Sequence, residues 1–498
     1  LKTKPSLDRI QGVVFHTSAP FTAELKTGSA MLNQLWSNIL WGQRSNFVGV
    51  PTDCPQRDER LGWMADAQVF WRTATYNMDL AAFSRKYTTD IRGTQVGSGA
   101  GTPVAGDLFG IYAPGITTTS SASGAGWSDA GVIIPWTSWI QTGDKQVLAQ
   151  NWDAMVKYLD GIERTNPDHL WTKYAGIGFG DWLSPEGPTR YPLVATASWA
   201  YDITLMQQMA HALGKPEDET KYAHLFEQIK AAFIKAFVHD DGFVAGADPG
   251  SSPFGVINNP DAKAKGGDTQ TGYVLALHMR LVPDALRPAV AQKLVDKIEA
   301  NHGLLGTGFL GTPYLLAVLT ESGHRDLAYH LLLNTQYPSW GYLVDHGATT
   351  MWERWNGDQM RKDPSMNSYN HYAYGAVADW IYRYAAGIDA IPTDPGFHTI
   401  YLHPAFDSQL GSIDFTYPSP YGSIHSAWTI NGSTAAWDLT IPANTTGWLP
   451  LSEAEAGKYK LDGQPITQSK LAEAAQKNQQ SGFVLPAGTY RFEVSDVH

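Results

Sequence analysis

Cysteine is almost missing from this sequence: Cys54 is the only one in 498 residues. A single cysteine excludes an intrachain disulfide and any cysteine-based zinc site. Such scarcity suits a reducing compartment, but a chain this long can bury a core that needs no covalent staple, so the periplasm stays open. Clustered positive charge is missing too. With 36 Lys and Arg against 48 Asp and Glu, the formal net charge is -12, and no basic run exists to hold a nucleic acid or an anionic membrane. No stretch approaches the roughly 18 apolar residues of a membrane span. The chain starts at Leu1 with neither Met nor a signal-type apolar segment, from which we expect a processed or truncated N terminus.

Aromatic residues are plentiful, with 18 Trp, 23 Tyr and 18 Phe; such rings fill cores and also stack on sugar faces. From Ser29 onward apolar residues recur at helical spacing. Met31, Leu32, Leu35, Ile39, Leu40 and Trp41 mark the first helix, and Val69 to Ile91 reads as a second. The plan then repeats: an apolar segment ends at Gly or Pro and an amphipathic one follows, as at Gly143, Gly214, Pro283 and Gly323. Eleven segments are visible this way. Alternation of fully apolar and one-sided helices fits a closed double ring, an (α/α)6 barrel of six helix pairs whose twelfth member is hidden. The breaks are too unevenly spaced for a solenoid.

Residues 29–390 are therefore assigned to the barrel. After Ile391 to Pro395, strand-sized runs such as HTIYLHP, SIHSAWTI, AAWDLTI and TYRFEV alternate with turn residues, predicting a C-terminal antiparallel β-sandwich over 391–498. Lys470 to Gln479 reads as a helix interrupting it. Residues 1–28 have strand-like pieces and form a tail, read as the remnant of an upstream β-domain.

The densest chemistry lies in Val50 to Gln68, VPTDCPQRDERLGWMADAQ, where Pro51 and Pro55 keep the first half out of a helix. Three further loops pair Trp with a carboxylate: GAGWSDA with Trp127 and Asp129, GIGFGDW with Asp181 and Trp182, and HGATTMWERWNG with Trp352 and Glu353, followed by His371. Each Trp alone is more simply a buried core residue. Recurrence in four loops favours a shared saccharide pocket, in which rings stack on the sugar's less polar face while carboxylates, Arg and His bind hydroxyls.

The run DCPQRDERLGW (Asp53 to Trp63), together with GATTMWERW (Gly347 to Trp355), resembles the bacterial α-L-rhamnosidases of glycoside hydrolase family 78. The likeness extends from about residue 25 to the C terminus. It implies a bacterial enzyme that removes terminal α-L-rhamnose with inversion, without cofactor or metal. By this resemblance Glu59 matches the general acid and Glu353 the general base. Asp53, Arg57, Trp63 and Asp66 match sugar-binding residues of the first motif, and Trp127, Trp182 and His371 later pocket residues; Trp352 is added as a candidate from its loop. Met64 and Ala65 depart from the commoner Thr-Gly, and Asn356 from the commoner Asp.

An inverting glycosidase needs one carboxyl to protonate the departing oxygen and one carboxylate to activate water on the opposite face. For Glu59, neighbouring Trp side chains and Asp53, Asp58 or Asp66 favour retention of the proton, while Arg57 and Arg60 oppose it. Another (α/α)6 carbohydrate enzyme, a glucosidase or polysaccharide lyase, and a silent sugar-binding protein are the alternatives. Leaving-group contacts are expected in the Gly-rich rim loops Gly97 to Gly126 and Gly246 to Gly267. The expected partner is a carbohydrate. Monomer or homodimer, and a cytoplasmic, periplasmic or secreted location, are left open.

Overall fold

The computed structural model describes residues 4–115, 122–244, 268–359, 367–477 and 479–497; the expected rim loop Gly246 to Gly267 lies outside them. Helices begin at α1 (Ala30–Asn46), where the Ser29 hydroxyl accepts the Leu32 N–H as an N-cap. There follow α2 (Met64–Asn77), α3 (Ala81–Gly93), α4 (Ala130–Thr142), α5 (Lys145–Thr165), α6 (Tyr191–Leu213), α7 (Pro216–Phe237), α8 (Gln270–His278), α9 (Arg287–Ala300), α10 (Thr312–Glu321), α11 (Arg325–Leu333) and a short α12 (Trp340–Asp345). A last helical run, 373–385, passes through 3-10, α and π turns.

Burial sorts these into two rings. α2, α4 and α8 are buried on nearly every side. By contrast α5 buries Leu148, Trp152, Met155, Leu159 and Ile162 at three- to four-residue spacing and leaves the other face wet. The inner members touch in a closed circuit, α2 to α4 to α6 to α8 to α10 to 373–385 and back to α2. α1, α3, α5, α7, α9 and α11 lie outside.

The hidden twelfth helix is inside the segment read as Val69 to Ile91. It is two helices, α2 and α3, and the break between them carries neither Gly nor Pro. Met78 turns extended (φ -138°, ψ 150°) and the Asp79 carboxylate accepts the Ala81 N–H at 3.2 Å, starting α3. Short polar side chains compete for backbone donors in this way.

The C-terminal region forms two sheets. Its strands are joined by β1 (Glu24–Thr27) from the tail, while β2 (Phe47–Val48) and β3 (Val50–Pro51) make a separate hairpin ahead of the Asp53 loop. Then come β4 (Ile388–Ala390), β5 (Thr399–Leu402), β6 (Ser412–Ser419), β7 (Gly422–Asn431), β8 (Thr434–Ile441), β9 (Thr446–Pro450), β10 (Tyr459–Leu461), β11 (Gln464–Pro465), β12 (Glu473–Lys477), β13 (Gln480–Leu485) and β14 (Gly488–Ser495). The orders are β1-β6-β7-β8-β14-β10-β11 and β12-β13-β9-β5-β4. Alternate residues are buried along β6, β8 and β14, as expected for sheets with one covered face.

Three readings change. β5 and β9 run parallel, so the second sheet is mixed rather than purely antiparallel. The described residues of Lys470 to Gln479 form no helix: β12 pairs with β13 from Glu473↔Val484 to Lys477↔Gln480. Its Ala, Glu, Gln and Lys favour a helix, but so short a helix is marginal without packing, and a ladder partner decides the outcome. In the tail, GVVFHTS forms no strand, whereas Leu25 and its neighbours in β1 extend the C-terminal sheet by pairing with β6. No helix among the described residues is long and apolar enough to cross a membrane.

Asp389 on β4 latches the barrel to the sandwich. It accepts Arg72 of α2 at 2.5 Å and Arg383 at 2.8 Å, and Arg383 also donates to Asp379 at 2.9 Å. Burial pushes the Asp389 carboxyl up, but the charges of Arg383 and Arg72 outweigh it and leave it below its ordinary 3.8. Its stabilisation is therefore present above about pH 4 and is lost as pH falls further. Removing it takes the close partner from Arg72 and leaves Arg383 only Asp379, so Asp389→Ala should destabilise the protein by about 3–5 kcal/mol, read as a lower urea midpoint at neutral pH.

Candidate active site

The first site loop leaves the β2/β3 hairpin and is clamped at its exit. Gly62 O accepts both Ala113 N–H at 2.9 Å and the Tyr87 hydroxyl at 3.0 Å, and Met64 N–H donates to Ile111 O at 2.8 Å. A Cβ on Gly62 would lie 2.1 Å from Ala113 O, so only glycine allows this approach. Between the clamp and the loop's start, Arg60 takes a left-handed φ of 49°, an unusual conformation for a non-glycine residue. Its guanidinium donates to Pro55 O at 3.1 Å. This kink sits directly after Glu59 in the chain.

Arg57 organises the polar wall. Its Nε and Nη2 lie 2.7 and 2.6 Å from Glu59 Oε2, its Nη1 donates to Glu353 Oε2 at 3.2 Å, and Nη2 is 3.6 Å from Asp53. Glu59 Oε1 accepts the Trp63 indole N–H at 2.7 Å. The residues on either side of the guanidinium differ in access: the Glu59 side chain is 29% exposed and that of Glu353 only 4%. Glu353 is held from behind, since its N–H donates to Ser368 O at 2.9 Å. His371 Nε2 lies 2.9 Å from Asp66 Oδ1 at the N terminus of α2.

These groups border a cavity of about 210 Å³ lined by Asp53, Arg57, Glu59, Trp63, Asp66, Trp127, Phe179, Trp182, Phe309, Glu353 and His371. Nine of the ten residues singled out from the sequence therefore meet in one place. Trp352 does not: its ring packs edge-on against Tyr369, 5.2 Å between centroids, and against Gly357. With Glu353 turned into the cavity, its neighbour in the chain faces away and braces the segment.

Phe179 and Phe309 are the members that sequence reasoning missed. Phe179 stacks obliquely on Trp127 at 4.6 Å and meets Trp63 and Trp182 edge-on at 5.8 and 5.6 Å. Phe309 lies 5.2 Å from the His371 ring. Each is a Phe framed by glycines, in GFG and GFLG, and that framing was the available signal. The carboxylates of the middle loops have a different use. Asp181 is buried and accepts backbone N–H groups of Gly308, Leu310 and Gly311, which joins the Trp182 loop to the Phe309 loop. Asp129 accepts Gly126 N–H at 2.6 Å and the Tyr158 hydroxyl at 3.1 Å. Both shape the loops that present the rings.

Electrostatics distinguish the buried acids. Burial is the largest influence on Asp53 and pushes its carboxyl up to about 7; Asp66 and Glu59 add to this, while His371 and the Cys54 thiol oppose it. Burial would lower His371, yet the hydrogen bond and charge of Asp66, with Glu353 and Asp53 behind, leave it raised. Asp53, Cys54 and Glu59 hold ligand atoms within 4.8 Å of one another, a spacing a metal ion could use. The Arg57 guanidinium already supplies the cation on Glu59 and faces Asp53, and burial and Asp53 hold the Cys54 thiol up in its protonated form. The donor set fits an arginine better than a metal.

Residues 20–385 match the family model of the bacterial alpha-L-rhamnosidase 6 hairpin glycosidase domain, and 387–464 that of the bacterial alpha-L-rhamnosidase C-terminal domain. This chain belongs to the bacterial α-L-rhamnosidases. An α-L-rhamnosidase of Streptomyces avermitilis is 43% identical over 452 residues, 90% of this chain and 40% of that one. One from Formosa agariphila is 35% identical over 98% of this chain and 50% of that one. The crystal structure of the Streptomyces avermitilis α-L-rhamnosidase complexed with L-rhamnose matches with a TM-score of 0.81 at 38% identity, covering 96% of this chain and 43% of that chain. An α-L-rhamnosidase structure from Dictyoglumus thermophilum gives 0.83 at 30% identity, covering 99% and 52%. The chain thus spans about half the length of the rhamnosidases it matches.

An acid whose folded-state value is raised keeps its proton longer than the unfolded chain does. Asp53 therefore makes stability fall as pH rises from about 4 to about 7. Asp53→Asn should flatten that fall, measured as thermal unfolding midpoints across the interval.

Proposed function

We propose that this chain hydrolyses terminal α-L-rhamnosides with inversion, Glu59 donating a proton to the departing oxygen and Glu353 activating water. The observation that carries the reading is Arg57 bonded at once to Glu59 and Glu353, on the border of a cavity lined also by Asp53, Asp66, His371 and five aromatic rings. Two carboxylates held apart by one guanidinium can flank a sugar from opposite sides.

The difference in exposure supports the division of roles. A general acid must reach a leaving group that extends towards solvent, and Glu59 is the more open of the two. A general base acts on a water confined behind the ring, where Glu353 is buried. Asp53, Asp66, Arg57 and His371 offer charged partners for sugar hydroxyls, while Trp63, Trp127, Trp182, Phe179 and Phe309 offer apolar faces. A deoxy sugar with a methyl at C5 suits such a wall. The relative whose structure is complexed with L-rhamnose supports the same class of ligand.

Proton NMR of an aryl α-L-rhamnoside digest should show β-L-rhamnose first, with α forming later by mutarotation. Glu59→Gln and Glu353→Gln should each lower kcat by about 10²–10⁴-fold. Undiminished turnover in either variant, α-L-rhamnose as first product, or turnover of a glucoside and no rhamnoside would overturn the reading.

A further inference from the structure

The inner ring encloses a second cavity, about 270 Å³ against about 210 Å³ for the one described. The inner segments all enter from the catalytic end: Asp66 opens α2, Trp127 precedes α4, Phe309 precedes α10 and His371 precedes 373–385. Residues further along the same helices line the second space. Asp66 and Arg72 are six residues apart on α2, roughly 9 Å along the axis. The lower cavity borders exposed Arg280 and Pro392, away from the first.

Its lining combines flat rings with unsatisfied polar tips. His278 stacks on Tyr314 with centroids 4.1 Å apart, and Tyr201 leans on both at 5.6 and 6.2 Å. The Trp136 indole on α4 is steadied by Gln208 at 3.2 Å. Among the described residues the Tyr201 and Tyr314 hydroxyls and the His278 ring nitrogens make no hydrogen bond, and Arg383 uses only Nε and Nη1, on Asp389 and Asp379. Burial, with Arg383, Arg280 and Arg287 nearby, pushes His278 down to about 3, so its ring is neutral and can both donate and accept.

Charge narrows the ligand. Arg72 and Arg383 are already paired with Asp389 and Asp379, and Glu321 adds a further negative group to a lining that also holds Arg280. No excess of positive charge is left for a free anion. What converges is aromatic faces ringed by donors and acceptors of both kinds, the complement of a ring that carries hydroxyls on its edge and C–H groups on its faces. We propose that the far end of the helical ring is a second saccharide site that takes one neutral pyranose unit, independently of the chemistry at the catalytic end.

The test uses the chain labelled with 5-fluorotryptophan, with the Trp136 fluorine resonance identified by its loss in Trp136→Phe. L-rhamnose, D-glucose, D-galactose and, as an anion control, acetate are titrated in. At least one sugar should shift the Trp136 resonance saturably. Thr204→Phe, which plugs the cavity, should abolish the shift, and Tyr314→Phe, which removes only a hydroxyl, should weaken binding about three- to tenfold. Turnover of an aryl rhamnoside by both variants should be unchanged, and Trp63→Ala should leave the Trp136 shift intact. A resonance unmoved by all three sugars, one moved by acetate alone, or a shift that survives Thr204→Phe overturns the proposal.

Discussion

Everything at the catalytic end depends on one guanidinium. Arg57 joins Glu59, two residues away, to Glu353, almost three hundred residues away, and it does so partly buried, where ionic contacts are strong and an unmatched charge is expensive. Neither glutamate could hold its place by local structure, since both lie on loops. Arg57 makes a pair of them. It also makes the pair conditional: the bridge exists only where the ring closes and brings the first and last loops of the barrel together.

Closure has its own supports. α2 packs against the segment 373–385, which is the contact that turns a row of helix pairs into a ring. The Arg72, Arg383 and Asp389 network reinforces this seam from below, and His371 with Asp66 reinforces it from above. The Gly62 clamp and the Asp181 carboxylate then fix the remaining loops. Five rings and six polar groups thus reach one cavity because each loop is tied to a neighbour and none relies on its own rigidity. A site built on loops needs such ties, since exposed connections are otherwise the least ordered part of a fold.

Periodicity reveals the helices and the rarity of ordinary sequence features reveals the site, but in different degrees. Inner and outer helices could be told apart because burial on all sides demands apolar residues on all sides, and the strands announced themselves by alternation. The division of α2 from α3 could not be read, because Asp79 ends one helix and begins the next without the Gly or Pro by which breaks are recognised. β12 escaped for the opposite reason: its composition favours a helix, and only the neighbouring β13 makes it a strand. In the site, Asp53, Arg57, Glu59, Trp63 and Asp66 were legible as a charged, proline-fixed cluster. Phe179 and Phe309 offered only their glycine framing, which does not say what a ring faces until the fold is known. Trp352 was misjudged because sequence adjacency to Glu353 says nothing about which side of the chain a ring takes.

The direction of the inner helices links these parts. All of them present their N termini to the catalytic end, where partial positive charge from unpaired N–H groups collects. That field favours carboxylates over cations there and helps to explain why Asp53, Asp66 and Glu353 are tolerated in burial. It does not compensate them equally. Glu353 has Arg57 at 3.2 Å and Asp66 has His371 at 2.9 Å, whereas Asp53 has its nearest cation at 3.6 Å and an Oδ1 with no hydrogen-bond partner among the described residues. Burial dominates at Asp53, and the proton it holds near neutral pH follows from that burial without a close partner. At the opposite end of the same helices the C-terminal carbonyls favour cations, and it is there that Arg383 and Arg280 are found.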